Sequence, residues 1–509
     1  MKKRFERLDW VLMFIPAAIV IVLCMVFMVL PERAGSIIEM LRVFLGDTFG
    51  FYYMLLGLGI LVLTLGIAFS GYGKIRLGNT DKPVYNNFQW GAMIFTSTMA
   101  ADIVYYSFIE WALYGGEEQI EKMGGLQKWA PTYPLFHWGP IPWGFYVILA
   151  IAFGFMIHVR GRNRQKFSEA CRPLLGDRVD GAPGKVIDLF AVFTLLAGTA
   201  TTFSLATPLM SAAVSQLSGF PNSPGLTIGI LLVIAALYTT AVWFSFKGIS
   251  FMASLCVWLF FGLALWVFLG GGEGIYIIET GISSIGNLVQ NFVGLSTWMD
   301  PMRETGFVQN WTIYYWAYWL VWCVATPFFI GVISKGRTIK NMILGVYISG
   351  LLGTFMSFLV FGNYGLSQQM RGTLDVIGML ESGVSIPDAI LSVFRTLPAS
   401  ALAIFLLIVT MLAFYSTTFD SLTMVVSMYS YKQLEAGEKP ERGVCAFWSV
   451  VFVIFPIGLI FAGNSLRNLQ SISIIAAFPI SVILLLIVVS FFKDANRYLR
   501  GKGETDKNS

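Results

Sequence analysis

An all-α integral membrane protein with twelve transmembrane helices is the fold class this sequence predicts, and three observations carry it. Of 509 residues, 56% are hydrophobic and only 12% charged, and the mean hydropathy is +0.71. No soluble domain needs so much apolar residue. The apolar residues gather in twelve runs, roughly 10–30, 50–72, 88–114, 141–159, 187–217, 225–246, 251–271, 310–334, 340–362, 399–430, 443–463 and 470–492. Finally, 26 of the 34 Lys and Arg residues fall in the connections that share a side with the N-terminus. That asymmetry satisfies the positive-inside rule with both termini in the cytoplasm, as for a multi-pass protein of a bacterial-type inner or plasma membrane.

In chain order, Met1-Lys2-Lys3-Arg4 opens a short basic tail ahead of the first run. No small-residue cleavage site follows, so this run reads as a retained span rather than a signal peptide. The longest inside loop, Arg160 to Lys185, is also the most basic. Outside, 273–300 and 366–398 are too polar or too short to span, and they read as interfacial helices over the outer face. The tail from Lys493 to Ser509 is short and polar, with disorder expected beyond about Gly501.

Several function classes drop out. The pattern G-x-x-x-x-G-K-[ST] is absent, so ATP does not drive the protein directly. The five cysteines form no C-x-x-C, and His137 and His158 have no metal-ligand spacing. A membrane enzyme needs clustered His, Cys or carboxylate groups, and these are scattered. The net charge of +5 belongs to loops facing anionic lipid and implies no nucleic-acid partner. Transport would draw on an ion or substrate gradient.

The candidate site starts from Trp316-Ala317-Tyr318-Trp319-Leu320-Val321-Trp322 in span eight. On a helix, Tyr315, Tyr318, Trp319 and Trp322 share one face. A wall of indole and phenol rings binds organic cations, quaternary ammonium ions above all. The competing reading is a belt of membrane-interface aromatics. A second cluster, Phe136-His137-Trp138-Gly139-Pro140-Ile141-Pro142-Trp143-Gly144-Phe145-Tyr146, opens span four. Two clusters on non-adjacent spans favour one box built between them. Span three opens with small and hydroxyl residues from Thr96 to Ala101 and then carries Asp102 well inside its apolar length. A carboxylate there is costly, so it marks a substrate or ion path or a proton relay, the alternative being a structural hydrogen bond. Glu110, nearer the outer end, reads as structural. The hydroxyl runs Tyr415-Ser416-Thr417-Thr418 in span ten and Thr199 to Ser204 in span five suit either Na⁺ or ordinary helix packing.

Together these stretches resemble the betaine/choline/carnitine transporter family. Both aromatic clusters, the motif Tyr315-Trp316-Ala317-Tyr318-Trp319 and the inside turn Ile333-Ser334-Lys335-Gly336-Arg337-Thr338 carry the resemblance, which covers nearly the whole chain. It implies a LeuT-like arrangement of two inverted five-helix repeats, 88–271 and 310–492, after two extra helices within 1–87. Residues 272–309 would then be an external segment and 493–509 a short cytoplasmic tail. It also implies a homotrimer in membrane lipid that transports a small quaternary ammonium compound such as glycine betaine, choline or carnitine. No cofactor is implied beyond Na⁺ or H⁺ as coupling ion; the alternative is cation-independent exchange, such as carnitine/γ-butyrobetaine antiport.

By the same resemblance, Trp138, Trp143, Tyr146 and Trp319 box the trimethylammonium group, and Tyr318 and Trp322 line the cavity or the path below it. Tyr318 stands where the family usually has Trp. A sodium ion would sit between the backbone at Thr96 and Met99 and the residues Phe414, Thr417 and Thr418. The run Thr96-Ser97-Thr98-Met99-Ala100-Ala101 is closer to the carnitine exchanger than to glycine-rich betaine importers, yet Ser250 stands where that exchanger has Arg. Asp102 falls where betaine carriers have Gly and proton-driven choline carriers have Asp. Choline lacks the carboxylate of betaine or carnitine, so an added carboxylate would balance its charge.

Overall fold

A computed structural model describes residues 6–80, 82–97, 100–244, 247–434, 438–461 and 466–505. Among them there is helix and no strand, and each of the twelve predicted runs falls in helix. Helices of eight residues or more are numbered here in chain order. The first two spans are α1 (Trp10–Val29) and α3 (Gly50–Phe69), with α2 (Pro31–Arg42) between them. Span three is split into α4 (Asn87–Thr96) and α5 (Ala101–Leu113). Then come α6 (Pro140–His158), α7 (Ala182–Ser218), α8 (Pro224–Phe244), α9 (Lys247–Leu265) and α10 (Gly274–Thr297). Span eight is split into α11 (Ile313–Trp322) and α12 (Thr326–Ile333). The chain ends with α13 (Ile339–Ser357), α14 (Asn363–Met370), α15 (Ile386–Arg395), α16 (Ser400–Tyr429), α17 (Arg442–Phe461) and α18 (Leu466–Thr505).

By length and composition, eight of the described helices suffice to cross a membrane, or eleven if each of three bent pairs is one crossing. The sixth predicted span, α8, contributes only a shorter apolar stretch, Pro224–Leu237, to that test. The bends are 68° between α4 and α5, 57° between α11 and α12, and 108° between the run ending at Gly270 and α10. The last bend turns α10 away from the span before it, in keeping with the expected interfacial helix.

Both broken spans have local causes. At the end of α4, Thr96 Oγ1 donates to Met93 O (3.0 Å) and Ser97 Oγ to Ile94 O (2.6 Å), so side chains take up carbonyls that a continuing helix would use. Ala100 is extended (φ −134°, ψ 160°), and α5 restarts with Asp102 in its first turn, where free N–H groups favour a negative charge. Between α11 and α12, Cys323 and Val324 leave the helix and Pro327 opens the next one, where its missing N–H costs nothing.

Small residues let these spans approach closely. Where α6 crosses α12, a Cβ on Gly331 would lie 2.9 Å from Gly154 N, and Phe153 stacks on Phe328 at 3.7 Å. At one end of the bundle, the turn after α12 is locked to the 75–84 segment. Leu77 N donates to Arg337 O (2.8 Å), Gly336 N to Leu77 O (2.6 Å) and Ile339 N to Ile75 O (2.9 Å). Gly336 has φ +86°, and a Cβ there would strike Lys82 O at 2.5 Å, so this turn of the family motif requires glycine. The Arg337 guanidinium covers the Trp90 ring at 4.1 Å.

The tail departs from expectation. Rather than disorder beyond Gly501, α18 runs on to Thr505, and residues 506–509 lie outside those described. The polar sequence hides an apolar side: Ala495 is fully buried and the Tyr498 ring meets Phe155 at 5.8 Å. Asp494 accepts from Arg160 and Arg162 of the basic loop at 2.8 and 2.7 Å.

Two glycines of α3 test the close packing. A Cβ on Gly57 would lie 2.7 Å from Ile141 and 3.0 Å from the Trp316 ring, while one on Gly59 meets nothing within 4 Å. Gly57→Ala should cost about 1–3 kcal/mol through overpacking, and Gly59→Ala should be neutral or slightly stabilising. Thermal midpoints of the purified protein in detergent check this; equal midpoints would refute the fit of α3 against α6 and α11.

Candidate functional site

The two broken spans meet at a cavity of about 430 Å³ enclosed by α4, α5, α6, α9, α11, α12 and α16. Its wall includes Thr96, Asp102, Trp138, Trp143, Tyr146, Tyr318, Trp319, Trp322, Thr417 and Thr418, so ten of the twelve sequence-predicted residues come together. Phe414 does not reach the wall: its ring is buried 6.2 Å from Phe260, one turn away from Thr417 and Thr418. Met99 lies outside the described residues.

Trp319 is the hub of the rings. Its centroid lies 5.7 Å from Trp138, 5.4 Å from Trp143 and 4.9 Å from Tyr146, at interplanar angles of 59–67°. Edge-to-face contacts of this kind put positive ring edges against negative faces, and the cluster turns its remaining ring surface to the cavity. Helix α13 seats two of the indoles. Thr354 Oγ1 donates to Trp138 O (3.0 Å), and Gly350 leaves room for Trp143, whose ring a Cβ there would strike at 2.6 Å. Tyr315, expected on the same face, packs behind the wall instead, stacked on His137 at 4.9 Å.

Asp102 is buried, at 4% exposure, and it accepts a hydrogen bond at Oδ2 from the Tyr318 hydroxyl. Tyr318 has one hydrogen to give, so Thr202 Oγ1, 2.6 Å from its oxygen, is the donor in that second contact. This single residue separates Thr202 from its neighbours in span five. Thr199 and Thr201 spend their hydroxyls on carbonyls of their own helix, at 2.7 and 2.9 Å. Asp102 Oδ1 and the indole N–H groups of Trp143, Trp319 and Trp322 are buried with no hydrogen-bond partner among the described residues. One acceptor and three donors on residues of the cavity wall are therefore left unpaired among the described residues. Among the residues lining it there is no Lys, Arg or His. On the α16 side, Thr417 Oγ1 donates back to Phe414 O at 3.0 Å, which leaves the lone pairs of the hydroxyl oxygen able to meet a cation.

Sequence reasoning missed the network behind Trp138. Glu110 is fully buried; it accepts from Trp138 Nε1 (2.8 Å) and from the Tyr114 hydroxyl (2.5 Å). With that hydrogen given to Glu110, the 2.7 Å contact between Tyr114 and His137 Nδ1 requires Nδ1–H, and Nε2 accepts from Thr312 at 2.9 Å. Four residues, Glu110, Tyr114, His137 and Thr312, are thus tied to one indole that faces the cavity. The only sequence signal was the order His137-Trp138, because Tyr114 and Thr312 are remote in the chain.

A family model described as "BCCT, betaine/carnitine/choline family transporter" matches residues 11–500. The chain is 28% identical to the glycine betaine transporter OpuD of Bacillus subtilis (strain 168), over 100% of this chain and 98% of that protein. It is 29% identical to a probable glycine betaine transporter of Desulfitobacterium hafniense (strain Y51), covering 94% and 96%. To a carnitine transporter of Acinetobacter baumannii (strain ATCC 19606) it is also 29% identical, covering 84% and 78%.

Glu110→Ala should strip the acceptor from two buried donors, Trp138 Nε1 and the Tyr114 hydroxyl, at about 1–3 kcal/mol for each donor left unpaired. Glu110→Gln keeps an acceptor and should retain most of that stability. A Glu110→Ala protein that melts with the unsubstituted one would show that the carboxylate does not hold Trp138.

Proposed function

The chain belongs to the betaine/carnitine/choline transporter family, and from that premise we propose that it is a secondary active transporter whose substrate is a small quaternary ammonium cation. The ammonium head lies against Trp138, Trp143, Tyr146 and Trp319, with Tyr318 and Trp322 extending the wall. One observation carries the finer choice of substrate: Asp102 lines the same cavity as the rings, and among the described residues no cationic side chain lines it. A zwitterion such as glycine betaine or carnitine would bring its own carboxylate into a cavity that already holds one, with only neutral indole N–H groups to receive it. A quaternary ammonium alcohol of the choline type leaves the single charge of Asp102 balanced, and its hydroxyl can accept from an indole N–H.

Uptake is coupled to a cation gradient in this reading. Asp102 is where a proton or the substrate's charge is answered, and Thr96, Thr417 and Thr418 on the opposite wall are the alternative place for Na⁺. The finer architecture belongs to the same proposal. Breaks in the first span of each expected repeat support two inverted repeats, and the distribution of Lys and Arg supports cytoplasmic termini in a bacterial-type plasma membrane. A homotrimer is supported by α10, which leaves Ile275, Ile282, Val289 and Val293 68–75% exposed along one face.

Proteoliposome uptake of choline, glycine betaine and carnitine, each with Na⁺, with a pH gradient and with neither, tests the substrate and coupling together. Trp319→Leu should weaken apparent substrate affinity roughly thirtyfold, since a desolvated cation–π contact is worth about 2 kcal/mol. A folded Trp319→Leu protein with unchanged affinity would remove Trp319 from the box.

Asp102→Asn keeps the shape and removes the charge. If the carboxylate balances the substrate, choline uptake should fall far more than that of either zwitterion. If it carries the coupling proton, pH-driven uptake should vanish while substrate-for-substrate exchange survives. Unaltered selectivity and unaltered pH dependence in this variant would leave Asp102 only its hydrogen bond to Tyr318.

A further inference from the structure

A second cavity, of about 980 Å³, opens where the basic 160–180 loop meets the end of α18. Six cationic side chains line it, Arg160, Arg162, Arg172, Arg178, Lys493 and Arg497, against one carboxylate, Asp494. These cations fall into two groups. Arg160 and Arg162 are held by Asp494 at 2.8 and 2.7 Å, and the Arg160 guanidinium sits between the rings of Phe155 and Tyr498 at 5.7 and 5.6 Å. Arg172 is engaged by Glu169 and Asp180 at 2.8 and 2.9 Å. Arg178, Lys493 and Arg497 are exposed and have no anionic partner among the described residues. The cavity therefore has an ordered floor and a rim of three cations left to an external anion.

The helix that supplies two of those cations also shows what the anion is attached to. Along α18, Leu485, Val489, Lys493 and Arg497 follow one another at four-residue spacing, so they lie on one side of the helix. Leu485 is 38% and Val489 53% exposed, as is Val482 at 42%. In a membrane-spanning chain such a face meets acyl chains. An apolar face that runs directly into two cations at the mouth of a basic cavity has the form of a phospholipid, tails along the helix and phosphate at its end. Arg side chains suit this role because their planar forks hold phosphate oxygens in pairs.

We propose that this cavity binds the phosphate headgroup of an anionic phospholipid, with its acyl chain along the Val482, Leu485 and Val489 face of α18. Bound there, the lipid would bridge the 160–180 loop and the last helix.

The test is native mass spectrometry of the full-length protein in detergent, titrated with phosphatidylglycerol or with phosphatidylcholine. The unsubstituted protein should retain phosphatidylglycerol in preference to phosphatidylcholine. Lys493→Gln with Arg497→Gln should weaken phosphatidylglycerol roughly thirtyfold, and Arg178→Gln, on the loop, about fivefold, at about fivefold for each cation near an anionic headgroup. Lys122→Gln, an exposed lysine paired with Glu118 and Glu304, should change nothing. Arg178→Gln also keeps the test independent of the fold of α18. Phosphatidylglycerol retention that is the same in all variants would overturn the proposal. So would inorganic phosphate or glycerol 3-phosphate binding as tightly as the lipid, since the site would then belong to a free anion.

Discussion

The hydrogen bond from Tyr318 to Asp102 joins the two broken spans across the cavity, and the rest of the site is arranged around it. A carboxylate in an apolar bundle is tolerated only where its surroundings answer it. Here three features do so. The chain opens between α4 and α5, so Asp102 stands in the first turn of α5 near free N–H groups. Tyr318 gives it a hydrogen, and Thr202 of α7 completes the chain of donors. The second carboxylate oxygen is left open beside the aromatic wall. An ordinary helix through residues 97–100 would remove the first of these features, and a Trp at position 318 would remove the second. The Tyr at 318 and the Asp at 102 are thus two halves of one device.

Behind the wall, rigidity comes from groups that do not themselves line the cavity. Glu110 fixes the Trp138 indole, while Tyr114, His137 and Thr312 fix Glu110 in turn. Gly350 and Gly198 act by absence: a Cβ on the first would strike Trp143 at 2.6 Å, and one on the second Val321 at 2.5 Å, next to Trp322. A cation–π site depends on ring orientation as much as on ring identity, so these supports determine what the aromatic residues can do. They also explain why Tyr315, a ring on the same helix, takes no place in the wall: it fills the space between His137 and Trp138.

At the end of the bundle that carries the 160–180 loop, charge is used differently. The 333–339 turn clasps the 75–84 segment through backbone hydrogen bonds, and Arg337 stacks on Trp90. Further along, Asp494 draws Arg160 and Arg162 onto the last helix, which keeps α18 ordered past the point where its sequence turns polar. With Asp494 engaged by two loop arginines, Arg178 of the loop and Lys493 and Arg497 of α18 have no carboxylate partner among the described residues, and that imbalance makes the basic cavity.

By itself the sequence determined the class, the positions of the helices and the aromatic and carboxylate residues of the cavity wall. Hydropathy is a property of single residues summed along a window, so the twelve apolar runs were legible, and each is helical. Trp319, Trp143 and Asp102 were legible because clustered indoles and a lone intramembrane carboxylate are improbable without a role. Tertiary structure alone decided which polar groups serve one another. Glu110 read as structural, but its partners were not legible: they come from positions 114 and 138, and theirs from 137 and 312. Thr202 could not be told from Thr199 or Thr201 until Tyr318 was seen beside it. Phe414 matched a pattern of ligands, and its ring packs 6.2 Å from Phe260 while its carbonyl accepts from Thr417 of the wall. The tail from Lys493 read as polar, with disorder beyond about Gly501, because its helix rests on contacts with Phe155, Arg160 and Arg162, more than three hundred residues earlier. Apolar burial is recorded residue by residue along a chain. A hydrogen bond or ion pair needs two groups at one point in space, and only the packed helices supply the second.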